Sequence, residues 1–249
     1  MTQAMERRPG AEAPEVNGPR KQHKIWLVEL YSTAVGKKWV MALTGIGLMG
    51  FVFAHMVGNL KMFLGRTEFD HYAESLRSLL YPILPHHVPL WGLRIGLIVL
   101  FFFHIQSAYS LTRMNHRSRP IKYQSPRDYI AVSFASRTMR WTGIIIGLYL
   151  IFHLADLTWG FANPDFVRGA AYDNLVASFE RWPVSIIYIV SNIALGIHLF
   201  HGGWSMFQSI GMNNPRYNGV RRGFAVGFAV VVAGVNCAFP IAVLAGIVH

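Results

Sequence analysis

The stretch PVSIIYIVSNIALGIHLFHGG, residues 183–203, carries no Asp, Glu, Lys or Arg and holds two histidines, His198 and His201, toward its end. A helix rises about 1.5 Å per residue, so this run is long enough to cross about 30 Å of hydrocarbon. Four more runs of the same kind lie near 39–63, 88–111, 141–162 and 223–248. The 249-residue chain is 53% hydrophobic and 14% charged, where a soluble domain would carry roughly a quarter charged residues. A soluble bundle of five such runs would have too little polar surface. The fold class is therefore all-α: a membrane protein with five transmembrane helices in a bundle.

Charge sets the expected topology. The net charge is +11. Lys and Arg cluster before the first run (Arg20, Lys21, Lys24, Lys37, Lys38), between the second and third (Arg113, Arg117, Arg119, Lys122, Arg127, Arg137, Arg140) and between the fourth and fifth (Arg216, Arg221, Arg222). The positive-inside rule places these on the cytoplasmic side, with the N-terminus inside and the C-terminus outside. Anionic headgroups account for the charge better than nucleic acid does. Residues 1–28 read as a polar, basic cytoplasmic arm without the apolar stretch of a secretory signal, and 29–249 as the membrane domain. Glu68–Tyr81 and Tyr172–Phe179 read as short amphipathic segments lying along the interface. Asn115–Arg137 and Asn213–Arg222 read as cytoplasmic loops. The single cysteine, Cys237, excludes an internal disulfide.

Four of the five runs contain histidine: His55, His104, His153 and His198. Ionisable groups inside a membrane are costly and usually functional. Their depths match in pairs. From Trp39 to His55 a helix rises about 24 Å, and from Trp141 to His153 about 18 Å, both counted from the inner side. His104 from Val88 and His198 from Pro183 lie about 23 Å below the outer side. His55 thus pairs with His153 near the outer face, and His104 with His198 near the inner face. One membrane histidine alone reads as an interhelical hydrogen bond. Four at two depths read as ligands of two metal centres, and imidazoles from two facing helices suit the axial positions of haem iron. Gly45, Gly47, Gly50, Gly58, Gly143, Gly147, Gly196, Gly202 and Gly203 offer room for a flat macrocycle, or for close helix packing.

Other residues admit more than one role. His201 is a substitute ligand, a propionate partner or the border of a quinone site. Cys237 and Asp156 lie near the depth of His55 and His153, so a non-haem iron or iron–sulfur centre is the alternative to haem there. Quinone candidates are Asp156, Trp159, Arg94 and Asn59 toward the outside, and Tyr31, Ser32, Lys38 and His201 toward the inside. The outer set is favoured because an intramembrane carboxylate is hard to explain structurally. On that reading Asp156→Ala lowers quinone turnover and leaves haem content normal.

The segments STAVGKKWVMALTG (32–45), HMVGNLKMFLG (55–65) and LGIHLFHGGWSMFQSIG (195–211) resemble the single-subunit, five-helix, di-haem cytochrome b anchor of succinate:quinone oxidoreductase and fumarate reductase, respiratory complex II. The resemblance runs from about Glu29 to the end. It implies a multi-pass subunit of the cell inner (plasma) membrane that serves succinate dehydrogenase in the respiratory chain and tricarboxylic acid cycle. It implies partners on the cytoplasmic face, a flavoprotein and an iron–sulfur subunit, with the succinate site on a partner. It implies two haem b groups, the proximal held by His104 and His198 and the distal by His55 and His153. Electrons would pass from the iron–sulfur subunit through them to quinone, with menaquinone favoured over ubiquinone. A stand-alone di-haem cytochrome with the same ligands ranks second, and a histidine-lined transporter third.

Overall fold

The computed structural model describes residues 25–118 and 130–249. Arg20, Lys21 and Lys24 of the expected arm, and Arg119, Lys122 and Arg127 of the expected 2–3 loop, lie outside the described residues. The elements are α1 (Trp26–Ser32), α2 (Ala34–Asn59), α3 (Arg66–Ser75), α4 (Val88–Arg117), α5 (Ile130–Leu157), α6 (Ala171–Glu180), α7 (Trp182–Ser209) and α8 (Asn218–Leu244), with 3-10 turns at Leu60–Leu64 and Pro215–Tyr217. No strand occurs among the described residues. Among the described residues five helices are long and apolar enough to cross a membrane: α2 with its 3-10 extension, α4, α5 from Thr138, α7, and α8 with the turn before it. Helices suit such a chain because every backbone polar group is satisfied within its own segment.

The helices outrun the apolar windows. α2 begins at Ala34, and α5 begins at Ile130, inside the stretch expected to be loop. α4 continues through Arg117. Hydropathy marks where lipid begins, whereas Lys, Arg and Gln are good helix formers that carry the helix on into water. At the other end α5 stops at Leu157 instead of 162, and Gly160, at φ 83°, takes the left-handed turn that releases the chain. α1 falls outside every apolar run. Thr33 separates it from α2 and caps α2, its hydroxyl accepting from the Gly36 amide at 3.0 Å.

The interfacial segments dock on each other. α3 packs on α6, and α6 on α8. The α6 N-terminus is capped from a different helix: the Tyr172 amide donates to Asp70 of α3 at 2.9 Å. An acceptor there meets one of the orphan amides of the first turn, and its charge complements the helix dipole. Arg66 pairs with Asp173 at 2.7 Å beside it. Met62, Phe69, Leu175, Phe179, Tyr188, Phe239 and Val243 form the core at this end. A second core of Met49, Met56, Leu199, Ala229 and Val232 joins α2, α7 and α8. Elsewhere the spanning helices turn large apolar side chains outward, among them Ile98, Leu148 and Ile151. These are the lipid-facing positions of a bundle.

The packing is uneven. α4 packs on α2, α5 on α7, and α7 on α8. Neither α2 with α5 nor α4 with α7 is among the closely packed pairs.

Candidate functional site: two facing histidine pairs

The histidines face each other across these two unpacked gaps. The rings of His55 (α2) and His153 (α5) lie 5.9 Å apart, centroid to centroid, at 85° between planes. Those of His104 (α4) and His198 (α7) lie 6.4 Å apart at 64°. No hydrogen bond joins the rings of either pair among the described residues. Two bonds of about 2 Å to a shared metal, plus the distance from each donor nitrogen to its ring centre, give about 6 Å. The separations therefore suit one atom held between two imidazoles.

Hydrogen bonds assign the tautomers. The Thr44 hydroxyl donates to the Val40 carbonyl at 2.7 Å, so its lone pair accepts from Nδ1 of His104 at 3.2 Å. The Thr142 hydroxyl donates to the Thr138 carbonyl at 2.9 Å and accepts from Nδ1 of His198 at 3.2 Å. Nδ1 thus keeps the proton in both, and Nε2 is left with a free lone pair, the state a metal ligand requires. In the outer pair, the Tyr188 hydroxyl donates to Asp156 at 2.9 Å and contacts Nδ1 of His153 at 3.4 Å. His55 stacks on Phe51 at 5.5 Å.

Thr44 and Thr142 were not singled out from sequence, although a signal was present. Thr44-Gly45 precedes His55 at the same spacing at which Thr142-Gly143 precedes His153. The repeat extends to contacts. A Cβ at Gly45 would lie 3.5 Å from His104 Cε1, and one at Gly143 would lie 3.6 Å from His198 Cε1. The helix rise from Thr44 to His55, or from Thr142 to His153, is about 16 Å. Each threonine touches the inner pair, so this is also the approximate axial step between the pairs.

The nine glycines expected to make room divide into groups. A Cβ would meet nothing within 4 Å at Gly50, Gly147 or Gly202. At Gly47, Gly58 and Gly196 it would come within 3 Å of Leu100, Tyr72 and Ala233, so these three serve close packing. Gly203 sits against Ala225 at ordinary contact distance.

Asp156 is fully buried. Its carboxylate pairs with Arg181 at 2.6 Å and accepts from Ser178 and Tyr188. This network supplies the structural reason for a carboxylate that the sequence alone left unexplained. Cys237 donates to the Ile189 carbonyl at 3.7 Å. Among the described residues no three His, Cys, Asp or Glu side chains gather as a metal-binding group, Asp156 and Cys237 included.

The quinone candidates are not brought together. Arg94 lies over the Trp91 ring at 5.1 Å, and Trp159 is exposed beside Phe161. His201 is half-buried against Phe200, near the opposite end of the bundle from Asp156. Among the candidates expected toward the inside, the Tyr31 hydroxyl bonds Gln106 and Ser107, with Lys37 over its ring at 4.2 Å, and the Ser32 hydroxyl donates to the Glu29 carbonyl.

Residues 122–236 match the family model described as succinate dehydrogenase/fumarate reductase transmembrane subunit. The match covers just under half of the chain and indicates a transmembrane subunit of that kind. With its five apolar helices, the chain is a multi-pass membrane protein. No curated protein and no solved structure matches it significantly.

Proposed function

We propose that the chain is the di-haem membrane anchor of a succinate:quinone oxidoreductase. One observation carries the haem assignment: two histidine pairs face each other at metal-bridging separation across helices that are not among the closely packed pairs of the described residues. His55 and His153 would hold the outer haem b, and His104 and His198 the inner. A haem b held by each pair would supply one-electron storage and would leave no site for oxygen or substrate. The chain's own residues do the positioning. Thr44 and Thr142 fix the inner imidazoles, and Gly50, Gly147 and Gly202 leave helix faces bare. The axial step of about 16 Å is within reach for electron transfer between the two levels.

The N-terminus lies in the cytoplasm and the C-terminus outside, as the charge distribution argues. The basic inner face receives the iron–sulfur subunit, which in turn carries the flavoprotein and its succinate site. Electrons leave to menaquinone on the outer side, where exposed Trp159, past His153 on α5, offers an apolar ring at the lipid boundary.

The test is haem per polypeptide in the detergent-purified complex, with a reduced-minus-oxidised spectrum. Two b haems are expected, with the outer lost in His55→Ala and the inner in His104→Ala. Absence of a b-type spectrum would refute the haem assignment. Purification without flavin or iron–sulfur subunits would point to a stand-alone cytochrome.

A further inference from the structure

The mechanism above leaves a buried ion pair unused, and that pair leads to one histidine only. Asp156 lies on α5 close to His153, and Arg181 enters from the α6–α7 junction. The guanidinium reaches the carboxylate at 2.6 Å and also donates to the Ala162 carbonyl at 2.7 Å. On its other side the carboxylate accepts the Tyr188 hydroxyl at 2.9 Å. Tyr188 is 3% exposed and sits edge-on to Tyr149, Phe152 and Phe179. Its ring cannot turn away without opening the outer core. The same phenol oxygen stands 3.4 Å from His153 Nδ1. Because the phenol proton is committed to Asp156, that oxygen is an acceptor toward the imidazole.

We propose that Tyr188 is a positioning residue that couples the Asp156–Arg181 ion pair to His153, and so sets the ligand strength of the outer centre. The inference rests on the haem reading. A hydrogen bond at Nδ1 raises the basicity of a ligating imidazole and fixes its orientation. A phenol that itself donates to a carboxylate is a stronger acceptor than a free one, since chained hydrogen bonds polarise each other. The inner pair has no such chain: its threonines donate to neutral backbone carbonyls. His55 has no hydrogen-bond partner among the described residues; its ring stacks on Phe51 and faces His153. The outer centre is therefore tuned from one side, through α7.

A spectroelectrochemical titration of the whole complex tests this, with Tyr188→Phe and Asp156→Asn as the variants. Tyr188→Phe removes one oxygen and keeps the ring in its pocket. Loss of the acceptor weakens the ligand and favours the reduced form. The outer centre should then shift upward by about a tenfold change in its oxidised-to-reduced equilibrium, about 59 mV for one electron. The inner centre should stay in place. Asp156→Asn should move the outer centre in the same direction by less, and it keeps the test alive if Tyr188→Phe fails to assemble. Two b haems with both potentials unmoved, or with both moving together, would overturn the coupling while leaving the haem assignment standing. A wild-type complex without b haem would overturn both.

Discussion

Replacing Thr142 by valine keeps the shape of the side chain and removes the one atom that holds His198. The hydroxyl donates to the Thr138 carbonyl at 2.9 Å and accepts from Nδ1 at 3.2 Å; the variant loses both, and only the acceptor bears on His198. One such bond contributes about 1 kcal/mol net, and losing the group that orients a metal-bound histidine typically costs 10–100-fold in affinity. That bond is long, at 3.2 Å, and joins two neutral groups. The expectation is therefore the low end, about tenfold weaker retention of the inner haem. Thr44→Val should match it, because Thr44 meets His104 at the same 3.2 Å. Haem transfer to excess apomyoglobin, followed separately for the two centres, reads this directly. The inner haem should leave about tenfold faster in either variant, with the outer rate unchanged. Equal rates in wild type and both variants would refute the threonine clamp, as would faster loss of the outer haem.

Three further outcomes follow from the geometry. Asp156→Ala strands Arg181; breaking a buried pair costs roughly 3–5 kcal/mol, and the low end applies because Arg181 keeps the Ala162 carbonyl and is 26% exposed. Thermal exposure of Cys237, the only cysteine, to a thiol-reactive dye would report the loss; an unchanged midpoint would refute it. Gly196→Ala would press a Cβ to 2.8 Å from Ala233 on α8 and cost about 1–3 kcal/mol, while Gly227→Ala meets nothing and should be tolerated, as the same dye assay would show. In a Cys237→Ser background, Asp165→Cys should label from outside intact cells and Ser118→Cys only after permeabilisation, and the reverse pattern would invert the proposed topology.

The sequence was legible where physics is local. Hydropathy located the five spans, and helix rise alone put His55 level with His153 and His104 level with His198, the partners whose rings meet in the structure. The helix ends were less legible, because α5 from Ile130 and α1 from Trp26 are held by helix propensity and capping in places where hydropathy is silent. The role of Asp156 was not legible at all. Its partner Arg181 lies across a loop and a helix, and the four side chains of the network come from α5, α6, α7 and the junction between the last two. The threonines escaped notice because each supports a histidine on a different helix, so that only the repeated spacing betrays them.

That repeated spacing has a consequence for how little information the bundle needs. α2 with α4 and α5 with α7 are two copies of one plan: threonine and glycine, an outer histidine, then an inner histidine on the returning helix. Each pair takes one ring from each copy, so two copies of a single helical hairpin, related by a twofold axis along the membrane normal, would place both pairs at once. What distinguishes the halves is then informative in itself. At the position equivalent to Asp156 the first half has Gly58, with Tyr72 of α3 filling the space, and at the position equivalent to Tyr188 it has Arg94. The symmetric residues support the paired histidines, and the broken symmetry lies around the His55–His153 pair.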